Sequence, residues 1–297
     1  MKVATWNVNS IRARRERVLA WLAANEPDVL CLQELKTEEA DFPGEEFRAL
    51  GYEAAVCGQR TYNGVAILAR GALRDVERGF GDGTDDPQAR FVAATVMAAG
   101  TAGAPGTGVA GAPGEARAPR AVGAPGEAAR GVRVMSAYVP NGEAVGSEKF
   151  AYKLAWCERL VAHLRARVDL RGETVLAGDF NVAPAPIDVH DPAAWEGHVL
   201  YSEAERAAFA AIVGVGLVDI VRRLNPTAPM FSWWDYRMLA FPKNRGLRID
   251  HVLVSPALAA RAQSAYVDRA ARKGKLPSDH APVVVEFAES AAVRAGG

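Results

Sequence analysis

Asp28-Val29-Leu30-Cys31-Leu32-Gln33 sets four consecutive apolar residues between two polar ones, and Glu34 follows. An unbroken apolar run, rather than an apolar–polar alternation, suits a strand covered on both faces. Such a strand needs layers above and below it. Similar short runs occur at Val3-Ala4-Thr5-Trp6-Asn7, Gly64-Val65-Ala66-Ile67-Leu68 (after a turn at Asn63-Gly64), Thr174-Val175-Leu176-Ala177, Ile249–Val254 and Pro282–Val285. Two helices lie between them. Ile11, Val18, Leu19 and Leu22 share one face of a basic helix with Asn9-Ser10 at its cap. Phe150, Leu154, Cys157, Val161 and Leu164 recur at helical spacing and form a core-facing stripe. Short buried strands with a few long helices predict an α/β (α+β) architecture of packed sheets. No GxGxxG follows a strand and no GxxxxGK[ST] occurs, which excludes the usual dinucleotide and P-loop sites.

The chain has 297 residues, 49% hydrophobic and 24% charged, which is globular composition. No stretch approaches ~18 apolar residues, so no membrane span is expected. The start, Met1-Lys2-Val3-Ala4-Thr5, lacks a signal-peptide layout. Cys31, Cys57 and Cys157 are odd in number and lack CxxC spacing. They argue against a disulfide framework or structural zinc and for a reducing cytoplasm.

Residues 100–131 stand apart, with Gly, Ala and Pro at 9, 10 and 4 positions and Gly-Ala-Pro-Gly recurring at 103, 111 and 123. With almost no large apolar side chains, this stretch reads as a low-complexity loop. Phe91–Met97 before it and Val132–Tyr138 after it have strand character. The expectation is a hairpin whose connection has been lengthened, within a single catalytic domain over 1–288 and with a flexible tail at 289–297. Long insertions cost little closure entropy.

Polar residues cluster where the apolar runs begin or end: Asn7, Gln33-Glu34, Tyr138, Asp179 and Asn181, Asp250, and Asp279-His280. Taken singly, Glu34 or Asp250 reads as a strand-end or capping group, Gly178-Asp179 as a turn, and Trp233-Trp234 as core. His163, His190 and His198 read as structural or exposed. Together, the carboxylates Glu34, Asp179, Asp250 and Asp279 with His280, Tyr138 and two Asn make a different case. Oxygen donors without Cys suit a hard cation such as Mg²⁺, with Mn²⁺ as a substitute. A carboxylate can orient and deprotonate water, and an Asp–His pair fixes an imidazole. That is equipment for phosphodiester hydrolysis.

The chain resembles bacterial exonuclease III, in the exonuclease III and apurinic/apyrimidinic (AP) endonuclease family of the endonuclease/exonuclease/phosphatase superfamily. The matching stretches include Thr5-Trp6-Asn7-Val8-Asn9-Ser10-Ile11-Arg12, Leu32-Gln33-Glu34-Leu35-Lys36, Tyr138-Val139-Pro140-Asn141-Gly142 and Gly178-Asp179-Phe180-Asn181. They continue with Trp233-Trp234-Asp235-Tyr236, Asn244-Arg245-Gly246-Leu247-Arg248-Ile249-Asp250 and Pro277-Ser278-Asp279-His280. The match spans residues 1 to 288, broken at 100–131.

The resemblance implies a DNase I-like four-layer αββα sandwich, two mixed sheets flanked by helices, with the site at one edge. It implies a monomeric, Mg²⁺-dependent enzyme of base excision repair. Such an enzyme cuts double-stranded DNA 5′ to abasic sites, trims blocked 3′ ends and degrades duplex DNA 3′→5′. Glu34 matches the principal metal ligand, with Asn9 and Asp279 nearby, and Asp179 and Asn181 also border the metal. Asp179 matches the carboxylate that handles the attacking water, with Asn7 and Asn181 as its partners. His280 matches the residue on the scissile phosphate, backed by Asp250. Tyr138 and Asn141 match groups near that phosphate. Trp233, Leu247 and Ile249 match the abasic pocket. The insertion is absent from typical members.

Two other readings compete: a phosphodiesterase of the same superfamily with another substrate, and a non-catalytic nucleic-acid-binding regulator. The 35 cationic and 35 anionic residues cancel overall but not locally. Arg12, Arg14, Arg15 and Arg17 surround only Glu16. Residues 236–275 carry nine cations, Arg245 among them, against Asp250 and Asp268. Local charge of this kind favours a DNA backbone.

Overall fold

A computed structural model describes residues 1–97 and 131–289. The insertion, apart from Gly131, and the expected tail, apart from Glu289, lie outside the described residues. Twelve strands are described: β1 (Lys2–Asn7), β2 (Val29–Gln33), β3 (Glu53–Cys57), β4 (Val65–Ala69), β5 (Leu73–Arg78), β6 (Phe91–Val96), β7 (Val132–Tyr138), β8 (Thr174–Asp179), β9 (Val218–Asp219), β10 (Asp250–Val254), β11 (Ala262–Val267) and β12 (Val283–Phe287). The helices are α1 (Ile11–Asn25), α2 (Gly44–Ala49), α3 (Glu148–Arg167), α4 (Pro192–Trp195), α5 (Glu203–Val213), α6 (Ile220–Leu224) and α7 (Pro256–Ala259).

The strands form two six-stranded mixed sheets, ordered β11-β12-β1-β2-β4-β3 and β5-β6-β7-β8-β10-β9. Each sheet has one parallel pair, β1 with β2 and β7 with β8, and a long helix (α1 or α3) bridges each pair. A parallel pair requires such a crossover. One apolar cluster holds residues of both sheets, among them Val3, Val29, Cys31 and Val65 against Val92, Val134, Val175 and Val252. Trp6, Leu30 and Leu32 pack outward on Ile11, Val18 and Leu22 of α1. Met135, Leu176 and Phe180 pack outward on Trp156 and Leu160 of α3 and Phe209 of α5. The result is the four-layer α/β sandwich that the resemblance implied.

Ser10 caps α1 by accepting from the Ala13 N–H. The α3 stripe sits one position away from the sequence reading. Lys153, Trp156, Leu160 and His163 are buried beside Phe150, Cys157 and Leu164, whereas Leu154 and Val161 are only half-buried. His163 is structural, with Nδ1 3.2 Å from the Phe80 carbonyl. The strands on either side of the insertion pair antiparallel from Phe91↔Ala137 to Val96↔Val132, as the hairpin reading required.

Register sets the site. Asn7 lies opposite Gln33 at one end of the first sheet. Tyr138, Asp179 and Asp250 lie side by side across β7, β8 and β10 in the second. The β7–β8 approach depends on Gly178, where a Cβ would lie 1.9 Å from the Ala137 oxygen.

Candidate active site

The strand ends of both sheets meet at one edge, where carboxylates and amides hydrogen-bond to one another. Asn7 Nδ2 donates to Glu34 Oε1 at 2.8 Å and to Asp179 Oδ2 at 2.9 Å, so one amide ties β1 to both. The Tyr138 hydroxyl donates to the same Glu34 oxygen at 3.0 Å. Asp179 Oδ1 accepts from the Asn181 N–H at 2.9 Å. Asn181 Nδ2 donates to the Val139 carbonyl at 3.0 Å, and Asn141 Nδ2 reaches Asn181 Oδ1 at 3.2 Å.

His280 enters from the segment before β12. Ser278 Oγ donates to the Asn7 carbonyl at 2.7 Å, and Trp6 Nε1 donates to the His280 carbonyl at 3.2 Å. The imidazole Nδ1 lies 2.8 Å from Asp250 Oδ2, and Nε2 faces Asp179 Oδ2 at 3.8 Å. Asp279 points another way, accepting from Asn9 Nδ2 and Trp233 Nε1, each at 3.0 Å.

Charge balance follows from this packing. Burial raises the Asp179 carboxyl to about 7, with Asp250 and Glu34 adding to the shift against His280 and the Asn7 hydrogen bond. Burial pulls His280 down, but Asp250 and Asp179 outweigh it and lift the imidazole to about 10. Burial, then Glu34 and Asp179, hold the Tyr138 phenol well above its ordinary range. For Asp279, burial is outweighed by His280 and by the Trp233 and Asn9 hydrogen bonds, so its carboxyl falls below the ordinary value.

Backbone strain is built into this edge. Asn9, Ser10, Glu34, Lys36 and Asn181 all have positive φ, between 46 and 87°. Each non-glycine residue so held costs of order 1–3 kcal/mol, and the two sheets must supply it. The strained turns point Glu34 and Asn181 inward.

Glu34, Asp179 and His280 each offer a ligand atom, all within 4.8 Å of one another. Of the residues expected near a metal, Glu34, Asp179 and Asn181 form one hydrogen-bonded group with Asn7. Asn9 and Asp279 adjoin it as a second group, linked through Lys36. Lys36 Nζ sits 2.9 Å from Glu34 Oε2 and 2.6 Å from Asn9 Oδ1. Sequence reasoning gave Lys36 no role. Its only signal was its place two residues after Glu34.

The other expected contacts are distributed differently. Trp233 is half-buried, its ring edge-on to Trp195 at 6.5 Å. Leu247 and Ile249 are buried in one cluster with Ala183, Val189, Leu200 and Tyr201. They form the packed floor beneath Trp233 rather than an exposed wall. Arg12 lies on the surface and pairs with Asp41 at 2.8 Å, and Arg245 is exposed. Neither touches the carboxylate cluster. Trp234 is core, as its bland reading had it.

Behind Asp250, Arg248 is buried between Asp188 (Nε–Oδ1 2.6 Å) and Asp219 (Nη2–Oδ2 2.8 Å). Arg248 Nη1 donates to His251 Nδ1 at 3.0 Å, and His251 Nε2 faces the Val182 carbonyl at 2.8 Å, so this ring is held neutral. Burial, then the Arg248 charge, depress His251 to about 4. A group depressed below its ordinary 6.5 leaves the folded state with fewer bound protons than the unfolded chain between those values. Stability is therefore full above pH 6.5 and falls as pH drops toward 4. The expected loss from this ring is on the order of 3 kcal/mol. Urea midpoints at pH 7.5 and 4.5 should differ by clearly less in His251→Gln than in the parent, and equal differences would reject this source.

A family model described as "Endonuclease/Exonuclease/phosphatase family" matches residues 4–280. The chain is 33% identical over 296 residues to an exodeoxyribonuclease III of Haemophilus influenzae, covering 97% of this chain and all of that protein. It is 28% identical to an exodeoxyribonuclease of Bacillus subtilis over 95% of this chain and 98% of that protein. Among solved structures it is similar to a Neisseria 3′ phosphatase, NExo, bound to a product DNA hairpin. There the identity is 40% and the TM-score 0.84, over 97% of this chain and all of that one. An AP endonuclease from Archaeoglobus fulgidus is 36% identical with the same TM-score and coverage. With this match over its fold and its strand-end cluster, the chain belongs to the endonuclease/exonuclease/phosphatase family, in its exonuclease III and AP endonuclease branch.

Proposed function

We propose that this protein is a cytoplasmic, monomeric DNA-repair nuclease. It hydrolyses the phosphodiester 5′ to abasic sites in duplex DNA, removes blocking groups from 3′ ends and resects duplex DNA 3′→5′. The observation that carries the reading is the convergence of Glu34, Asp179 and His280 within 4.8 Å, with His280 backed by Asp250.

The donor set fits a hard divalent cation. Glu34 and Asp179 offer carboxylate oxygens, Asn9 and Asp279 lie beside them, and the Lys36 ammonium already sits between Glu34 and Asn9. No cysteine belongs to the cluster. Glu34 is the principal holder of Mg²⁺ in this reading, with Asp179, Asn181, Asn9 and Asp279 around it. When bound, Mg²⁺ (or Mn²⁺) supplies positive charge for phosphoryl oxygens and the leaving oxygen.

The protein's own groups do the rest. Asp179 orients a water and takes its proton. Its high pKa makes the carboxylate a stronger base than an exposed one. Asn7 and Asn181 hold its oxygens in place. His280, kept cationic by Asp250, binds the scissile phosphate and opposes the charge that develops there. Tyr138 and Asn141 stand at the edge of the same space and contact phosphate oxygens. Trp233, over the Leu247–Ile249 floor, receives the flipped sugar that lacks a base, which leaves the stack at low cost. Arg12 and Arg245 bind flanking phosphates.

A 5′-labelled duplex with one abasic site should be nicked 5′ to the lesion in Mg²⁺ and left intact in EDTA. An undamaged duplex should receive no internal nick. No nick at micromolar enzyme, or one indifferent to EDTA, overturns the reading. Cleavage of inositol phosphates or phospholipids instead would move the substrate elsewhere in the family.

A further inference from the structure

Lys153 on α3 and Glu205 on α5 are each 0% exposed and form an ion pair. Burying two charges is expensive, and such a pair is weak evidence for stability. Its geometry suggests a different use. Besides Glu205, Lys153 Nζ donates to the Asn141 carbonyl at 3.0 Å and to the Asn181 carbonyl at 2.7 Å. One ammonium thus spends its donors on the backbones of the two residues whose side-chain amides meet at the site. Asn181 is one of the strained residues, at φ 51°, and its carbonyl is fixed by this contact. Glu205 extends the link. Its oxygens accept from the Leu200 and Ser202 N–H groups, each at 3.0 Å. The Leu200 carbonyl in turn accepts from the Ala183 N–H at 2.8 Å. Leu200 and Ala183 belong to the apolar floor under Trp233.

We infer that Lys153 and Glu205 are positioning residues. They lock the Asn141 and Asn181 loops to the apolar floor, so that the amides at the phosphate and the pocket for the sugar keep one spacing. The inference rests on the proposed nuclease reading. Lys153 touches no substrate and acts only through the two carbonyls.

The test replaces the pair together, Lys153→Met with Glu205→Gln, so that no lone charge stays buried, and adds Lys153→Gln with the same Glu205→Gln, which keeps a donor. Folding is checked by circular dichroism and by thermal midpoint, and assays run well below that midpoint. In the double variant, kcat for nicking an abasic duplex in Mg²⁺ should fall about 10- to 100-fold, the scale of an ångström's misplacement. KM, and affinity for undamaged duplex by fluorescence anisotropy, should change less than about threefold. Lys153→Gln with Glu205→Gln should recover part of the lost kcat. A folded double variant with kcat within about twofold of the parent overturns the inference, as does an equal loss in kcat and affinity. If neither variant folds, the pair is a scaffold element and the inference falls. The parent runs alongside. A parent that does not nick overturns the nuclease reading itself and takes this inference with it, whereas a parent that nicks leaves the variants to decide.

Discussion

Asp179→Asn should lower kcat for nicking an abasic duplex by about three orders of magnitude or more, while the thermal midpoint at pH 8 without metal holds or rises. The two halves have one cause. A general base contributes about 10²–10⁴ in rate, and in the proposed reading the same carboxylate would adjoin the metal. Asn keeps the shape and an acceptor for the Asn181 N–H, but it cannot take a proton. Its new amide also faces the Asn7 amide that now donates to Asp179. For stability the sign is opposite. The Asp179 pKa is raised to about 7 from 3.8, so the folded state penalises the ionised form. That penalty grows as pH rises through this window and is full above it. Replacing the carboxylate removes the penalty, though His280 loses one of its carboxylate neighbours. Activity and stability would thus separate, as expected where a site is kept at the scaffold's expense. Near-normal turnover in this variant removes Asp179 from the water-activating role.

Glu34→Ala should show the second-largest effect, and it should appear in the metal dependence. Glu34 accepts from Asn7 and Tyr138 at one oxygen and holds Lys36 at the other. Truncation would take away what the proposed reading makes the principal charge for the cation, and would free Lys36. The Mg²⁺ concentration for half-maximal nicking should rise by at least about 100-fold, more than loss of a residue that merely orients a ligand. Saturating Mg²⁺ should restore only part of kcat. His280→Asn makes the contrast, losing rate with an ordinary Mg²⁺ curve. A Glu34→Ala enzyme with the parent's Mg²⁺ dependence would place the cation elsewhere.

Eight strands, all interior to the two sheets, were legible: six as apolar runs, and β6 and β7 by their strand character on either side of the insertion. The four that were not are β3, β5, β9 and β11, and these are the four sheet edges. Leu73-Arg74-Asp75-Val76-Glu77-Arg78 carries four charged residues, and four of its six side chains are exposed, because an edge strand meets water. Such charge guards against pairing with another chain, and it erases the hydrophobic signal. The site residues were legible for a related reason. A buried carboxylate at the end of an apolar run is costly, so its presence points to use. What sequence could not convey was pairing across distance. Lys36 between Glu34 and Asn9, or Lys153 under Asn141 and Asn181, becomes meaningful only when register and helix docking bring carbonyls and carboxylates within 3 Å. The α3 stripe obscured Lys153 further, since a lysine at a core position reads as surface.

The site draws Asn7 and Glu34 from one sheet, Tyr138, Asp179 and Asp250 from the other, and His280 from the approach to β12. Strand β1 sits between β2 and β12, so its pairing on one side waits for residues 283–287. During vectorial synthesis, Asn7 emerges from the ribosome some 270 residues before His280. A nascent chain that stops short of His280 therefore lacks the proposed cutting centre, however much of it has folded. For a protein whose proposed task is to break DNA, this ordering acts as a safety catch: the blade closes only once His280 and the strand after it have been made.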